Sequence, residues 1–303
     1  MPPLTPKDGL NLFFGESEAR KFLSHHWPDQ PFAVHDQQQS SGGIMGVPFL
    51  KSLEAMLSHW PKTVQVHLPD LADEASSIDA SPKDAQKLFS NGMPLLFNEV
   101  NAISDLLTQE LKAIHRDLGL PKMTYSRCMV YAIPSGKGTA WHFDQNINFV
   151  VQLTGTKTWW LAQNETVDHP SQRHALGQTV DPELASYVGE SLPTRAPEKK
   201  TKVVLKPGSV LFVPQGYWHS TEAEGEALSL NFTFSQPSFA DLFLAALRSR
   251  LLLSPEWREL ADGVSSQNPN LKEIATQKFD DLLLELVHDL PHWNATDILN
   301  ATE

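Results

Sequence analysis

The chain has a single cysteine, Cys128, among its 303 residues. One thiol cannot form a disulfide within the chain, and it cannot build a zinc or iron–sulfur centre held mainly by thiolates. A reducing cytoplasm is the expected location. Positive charge is also scarce: 24 Lys and Arg stand against 36 Asp and Glu, a formal net charge of −12. Phosphate binding depends on clustered Lys and Arg, so this balance argues against a nucleic-acid or anionic-membrane binder and tolerates a basic partner. The N-terminus "MPPLTPKDGL" lacks a basic stretch followed by an apolar core, and "DLFLAALRSRLLL" (241–253) is interrupted by Arg248 and Arg250. Neither secretion nor membrane spanning is expected. No internal repeat and no low-complexity tract is present.

A composition of 41 % hydrophobic and 20 % charged residues describes an ordinary globular protein. Its hydrophobic period changes twice along the chain. From about 16 to 120 helical spacing recurs, as in "ESEARKFLSHHW" before Pro28 and in "SDLLTQELKAIHRDLGL", where Leu107, Leu111, Ile114 and Leu118 share a face. Ser104 suits the N-cap of that second helix and Gly119 its C-terminal stop. The stretches 35–43 and 73–86 read as exposed loops. Between about 124 and 236 the segments become short and rich in Val, Phe, Trp and Thr: "YSRCMVYAI", "INFVVQLT", "KTWWLA", "TKVVLK", "SVLFVPQ" and "ALSLNFTF". Gly155-Thr156 fits a two-residue hairpin and Lys206-Pro207-Gly208-Ser209 a turn. Residues 169–200 have little strand character and read as an insertion at one end of the β-structure. After 237 helices return. Ser238 with Asp241 resembles a capping box, and Phe239, Leu242, Phe243, Ala246 and Leu247 form a stripe. A second helix is expected over about 270–290, with Leu271, Ile274, Phe279, Leu282, Leu283, Leu286 and Leu290 on one face before Pro291. These stripes fit either packing on the β-structure or a homodimer interface.

The expected domains are therefore a helical and strand region over 1–123, a barrel over 124–236 and a helical region over 237–303. The chemistry concentrates in the second. In "GTAWHFDQNINFVVQLTGTK" (138–157), His142 and Asp144 stand two apart, so on an extended strand both point to one side. A carboxylate is costly to bury without a cationic partner or a metal. The best third ligand is His219 in "PGSVLFVPQGYWHST", at the end of an apolar strand. Two histidines and one carboxylate occupy three corners of an octahedron and leave three open, the arrangement of non-haem Fe(II) oxygenases. The other histidines, His25, His26, His169 and His174, show no ligand spacing and read as surface residues. Trp141, Trp159, Trp160 and Trp218 crowd the region, and Trp218, beside His219, is the one to consider for substrate contact.

Gly136, His142, Asp144, Asn148 and Gly155 fall on the spacing of the first cupin motif, and Gly208, Pro214, Gly216 and His219 on that of the second. Asp144 replaces the usual second histidine, and Asn148 the usual glutamate. Ala223 stands where many cupins have Asn. This pattern resembles the JmjC and JmjC-like hydroxylases of the cupin superfamily, the 2-oxoglutarate oxygenases that include the asparaginyl hydroxylase of the hypoxia-inducible factor and the ribosomal-protein hydroxylases. The resemblance covers about 124–236 closely and "FLSHHWPDQPF" more loosely. It implies a mainly β fold, a double-stranded β-helix or jelly-roll barrel, with a helical N-terminal region and C-terminal helices.

The resemblance further implies Fe(II) held by His142, Asp144 and His219, with 2-oxoglutarate and O2 as co-substrates. Thr139, Asn148 and Lys157 match family positions counted from the first histidine. Lys157 would then pair with the far carboxylate of 2-oxoglutarate and Thr139 would donate to it. Asn231 and Tyr131 match pocket-lining positions, although Tyr131 equally fits a core strand. The implied reaction is hydroxylation of a C–H bond of a protein, peptide or small molecule, with release of succinate and CO2. Two other readings stay open: a cupin dioxygenase or isomerase that does not use 2-oxoglutarate, and a non-catalytic cupin binding module.

Overall fold

The computed structural model describes residues 9–36, 42–68, 76–189 and 192–303. The chain divides into two compact units, one of Met1–Leu120 with Tyr125–Ser235 and one of Pro121–Thr124 with Gln236–Glu303.

In the first unit the described helices are α1 (Gly9–Phe14), α2 (Glu16–His25), α3 (Gly42–Met45), α4 (Leu53–His59), α5 (Pro82–Ser90), α6 (Asp105–Leu118) and α7 (Pro182–Tyr187). The early strands are β1 (Phe32–Val34), β2 (Val64–His67), β3 (Ser77–Ala80) and β4 (Leu95–Phe97). The later ones are β5 (Tyr125–Ile133), β6 (Gly138–Phe143), β7 (Ile147–Ala162), β8 (His174–Ala175), β9 (Thr201–Leu205), β10 (Val210–Val213) and β11 (Trp218–Ser235). Eleven strands join into one antiparallel sheet. Its main path runs β1-β10-β7-β11-β5-β4-β2-β3, with β6 on β11, β8 on β6 and β9 on β7. This is the mainly β jelly-roll with flanking helices that the motifs imply.

Local chemistry explains the boundaries. Ser104 accepts a hydrogen bond from Leu107 N–H at the start of α6, and Gly119 ends it at φ 63°, where a side chain would be strained. Gly208 (φ 87°) closes the turn into β10, with Ser209 N–H donating to Lys206 C=O at 2.8 Å. One face of the sheet packs against the N-terminal helices. Phe13 meets Phe232 with ring centroids 4.9 Å apart, and Phe22 meets Phe212 at the same distance. Each such ring contributes about 2–3 kcal/mol by leaving water.

Several expectations change. Gly155-Thr156 is no hairpin: β7 runs unbroken through it, because both halves pair with the same long strand, Ile147–Thr154 with 228–234 and 156–162 with 218–224 of β11. Gly155 takes φ 68°, and a Cβ there would lie 2.1 Å from Glu226 O, so it bends the strand instead of reversing it. Of the two presumed loops, 37–41 and 73–75 lie outside the described residues, while Gly42 opens α3, Ser77–Ala80 forms β3 by pairing with β2 and Pro82 opens α5. The 169–200 segment, of which 190–191 lie outside the described residues, contributes β8 and α7.

The second unit holds α8 (Phe239–Leu251), α9 (Pro269–Asp289) and α10 (Ala295–Thr302), the last not expected. The capping box of Ser238 and Asp241 forms. Within α9 only Ala275 and Leu282, at the centre of the expected stripe, are buried. Its flanks remain exposed: Leu271, Ile274, Phe279 and Leu283. Among the described residues no helix is long and apolar enough to cross a membrane.

Candidate metal centre

The ladder between β6 and β11 sets His142 directly opposite His219. Asp144 follows β6, held through its carbonyl by Gly216 N–H at 2.8 Å. One ligand atom from each of His142, Asp144 and His219 falls within 4.8 Å of the others. His142 Nδ1 meets Ala140 O at 2.8 Å, and His219 Nδ1 meets Tyr217 O at 2.9 Å. A carbonyl only accepts, so each Nδ1 carries the proton and each Nε2 presents a lone pair. Burial lowers both histidine pKa values, that of His219 to about 3, so both rings are neutral near pH 7. Burial by itself would raise the Asp144 carboxyl. His142 and His219 in their protonated forms, the Arg173 charge and the Asn148 hydrogen bond outweigh that and hold it below its ordinary range. Two neutral imidazoles and one carboxylate form a donor set suited to a divalent cation.

Lys157 lies on the inner face of β7. It is buried, its ammonium is 5.2 Å from the Trp159 ring centroid and 5.8 Å from that of Tyr131, and burial pushes its pKa down to about 8. Among the described residues no carboxylate pairs with it. Trp159 in turn stacks on His219, with centroids 5.6 Å apart at 26°. Thr139 sits on β6 opposite Thr221 of β11, their hydroxyls 2.9 Å apart. A buried cation with neutral neighbours is costly unless an anion reaches it. Lys157 thus carries a positive charge that burial alone disfavours.

The remaining sequence candidates line the same interior. Asn148 accepts from Thr233 Oγ1 at 2.6 Å and donates to Asp144 Oδ2 at 3.4 Å. Asn231 is buried with Oδ1 unsatisfied, and the Tyr131 hydroxyl is pushed up to about 12 by burial. Trp218, the tryptophan considered for substrate contact, is buried against Phe143, ring centroids 4.8 Å apart. One expectation fails. His174 is no surface residue: β8 pairs it with Phe143, and it is buried.

Sequence reasoning missed Thr221, Thr233 and Arg173. Thr221 stands two residues after His219, but register shifts in β11 separate His219 from Thr233, so no simple period marks both threonines. Arg173 comes from the insertion and reaches Asp144 Oδ1 with Nε at 3.5 Å. No motif spacing marks it.

Comparisons with known proteins bear on the family and the fold. A JmjC domain matches residues 107–242. The uncharacterised protein YxbC of Bacillus subtilis is 32 % identical over 276 residues, covering 89 % of this chain and 82 % of that one. The chain belongs to the JmjC family. Other relatives include the Drosophila persimilis bifunctional lysine-specific demethylase and histidyl-hydroxylase NO66, 26 % identical over 73 % of this chain and 31 % of its own length. Rat ribosomal oxygenase 1 is likewise 26 % identical, over 72 % of this chain and 36 % of its own. The chain thus spans about a third of these two relatives. The crystal structure of Escherichia coli ycfD superposes with a TM-score of 0.50 and 20 % identity, covering 89 % of this chain and 67 % of that one, which supports the fold.

Proposed function

We propose that this JmjC protein is an Fe(II)- and 2-oxoglutarate-dependent oxygenase that hydroxylates a C–H bond of a protein or peptide, with release of succinate and CO2. The observation that carries the reading is Lys157, a buried ammonium with no carboxylate partner among the described residues, inside the barrel that bears the triad. In this reading His142, Asp144 and His219 hold the metal, Lys157 and Thr139 bind the far carboxylate of the co-substrate, and Asn148, Asn231 and Tyr131 line its pocket. Bound iron supplies activation of O2 coupled to decarboxylation of the 2-oxo acid. The chain's own share is to keep both imidazoles neutral, orient the diacid through Lys157 and exclude water with Trp159 and the apolar barrel wall. A metal enzyme that does not use 2-oxoglutarate would leave the Lys157 charge without a purpose, and a non-catalytic module would have no use for an intact triad.

The names of NO66 and ribosomal oxygenase 1 support a protein substrate over a small molecule. A net charge of −12 suits a basic one. With the reading go a cytoplasmic location, no nucleic-acid or membrane role, and a domain organisation of N-terminal region, barrel and C-terminal helices divided near 124 and 236. A homodimer through the C-terminal helices completes it. Of nineteen large apolar residues exposed among those described, fourteen lie between Phe239 (93 % exposed) and Leu299. Such a surface marks an interface, and a standard one takes about 800 Å² from each partner.

Proton NMR of the purified protein with Fe(II), ascorbate, O2 and 2-oxoglutarate tests the activity. Conversion to succinate, accelerated by the right peptide and absent in His142→Ala, supports the reading. Unchanged 2-oxoglutarate with iron bound would overturn it.

A further inference from the structure

Asp144 turns its two oxygens to different neighbours. Oδ2 lies 3.7 Å from His219 Nε2 and accepts from Asn148 Nδ2 at 3.4 Å, inside the triad. Oδ1 lies 3.5 Å from Arg173 Nε. We propose that Arg173 is a positioning residue that reserves Asp144 Oδ1, so that the carboxylate offers only Oδ2 to the metal. The proposal rests on the triad being a metal centre.

The backbone that carries Arg173 is anchored beside the triad. It directly precedes β8, whose ladder to β6 pairs Ala175 with His142 and His174 with Phe143. Leu176 N–H donates to Trp141 O at 2.9 Å and extends that attachment. The insertion also has its own small core, in which Leu184 and Leu192 pack with Phe143 and Trp218. Phe143 lies between His142 and Asp144 in the chain, and Trp218 directly precedes His219. The segment that carries Arg173 is thus built on side chains interleaved with all three ligands.

The consequence concerns coordination number. A carboxylate binds a divalent ion through one oxygen or two. With two imidazoles, one-oxygen binding leaves three corners of an octahedron and two-oxygen binding leaves two. A chelating 2-oxo acid takes two. Only the one-oxygen arrangement then keeps a corner for a third ligand. Arg173 secures it at a cost, because its positive charge beside the site opposes cation binding.

The test uses Mn(II) as probe in the full chain, comparing wild type, Arg173→Ala and Arg173→Lys. Metal affinity is read by Mn(II) electron paramagnetic resonance, bound waters by oxygen-17 relaxation, and folding by thermal melting. Wild type should hold three waters, and one after addition of 2-oxoglutarate. Arg173→Ala should hold two and then none, with an affinity for Mn(II) equal to wild type or up to about tenfold tighter. Arg173→Lys keeps a cation on Oδ1 and should restore the third water. Three waters in the alanine variant would overturn the proposal, as would affinity and melting temperature falling together, the signature of a merely structural residue. Failure of wild type to bind Mn(II) would instead overturn the metal-centre reading itself.

Discussion

His142 and His219 face each other across the β6–β11 ladder with ring centroids 4.1 Å apart, and each gives its Nδ1 hydrogen to the carbonyl two residues earlier in the chain. That shared device fixes both tautomers before any ion arrives. Replacing either histidine by alanine should therefore lower Co(II) affinity by at least about a hundredfold, with the fold retained by circular dichroism. An affinity within threefold of wild type would remove that residue from the ligand set.

Lys157 should make co-substrate binding depend on pH. Its folded-state pKa, pushed down to about 8 from 10.5 by burial, means that the pocket is cationic below about pH 8 and loses its charge above it. Affinity for 2-oxoglutarate, measured by calorimetry on the Co(II)-loaded protein, should be constant below that pH and fall as the pH rises through it. Lys157→Arg should flatten the curve, and Lys157→Ala should weaken binding at every pH.

The same residue should leave a mark on stability without ligand. The folded chain gives up the Lys157 proton before the unfolded chain does, so stability should rise with pH between about 8 and 10.5, by ~3 kcal/mol in total. Lys157→Met should abolish this slope and raise the melting temperature near pH 7. A metal-free Lys157→Met protein less stable than wild type would contradict the account of an unpaired buried charge.

At the bend of β7, Gly155→Ala meets both a positive φ and Glu226 O at 2.1 Å. Urea unfolding should show a loss of about 2 kcal/mol or more. A change under 0.5 kcal/mol would mean that the strand relaxes there easily.

For the homodimer, light scattering should give twice the 33.8 kDa chain mass at micromolar concentration. Ile274→Asp with Leu283→Asp, both on exposed flanks of α9, should give the monomer mass with the triad's metal binding intact. A wild-type monomer would remove the interface.

How far the sequence could be read depended on the range of the interaction concerned. Ser104 and Gly119 act within one helix turn, and both ends of α6 fall where those residues place them. His142, Asp144 and His219 were legible because strand alternation and fixed motif spacing converge on one side of a barrel. Gly155 misled, since a glycine followed by a polar residue suits a hairpin equally well until β11 is known to pair with both halves of β7. Arg173 was invisible for a related reason: its partner lies 29 positions away across a ladder of two residues, and no period encodes that. His174 reads as a surface residue because the ring contacts that bury it, to Phe143 and Trp218, come from two other segments of the chain.

Anaerobic visible absorption, on adding Fe(II) and then 2-oxoglutarate, tests the central claim most directly. The account predicts a charge-transfer band that requires both additions, is weakened in Lys157→Ala and is absent in His219→Ala. Iron binding without any such band would contradict it.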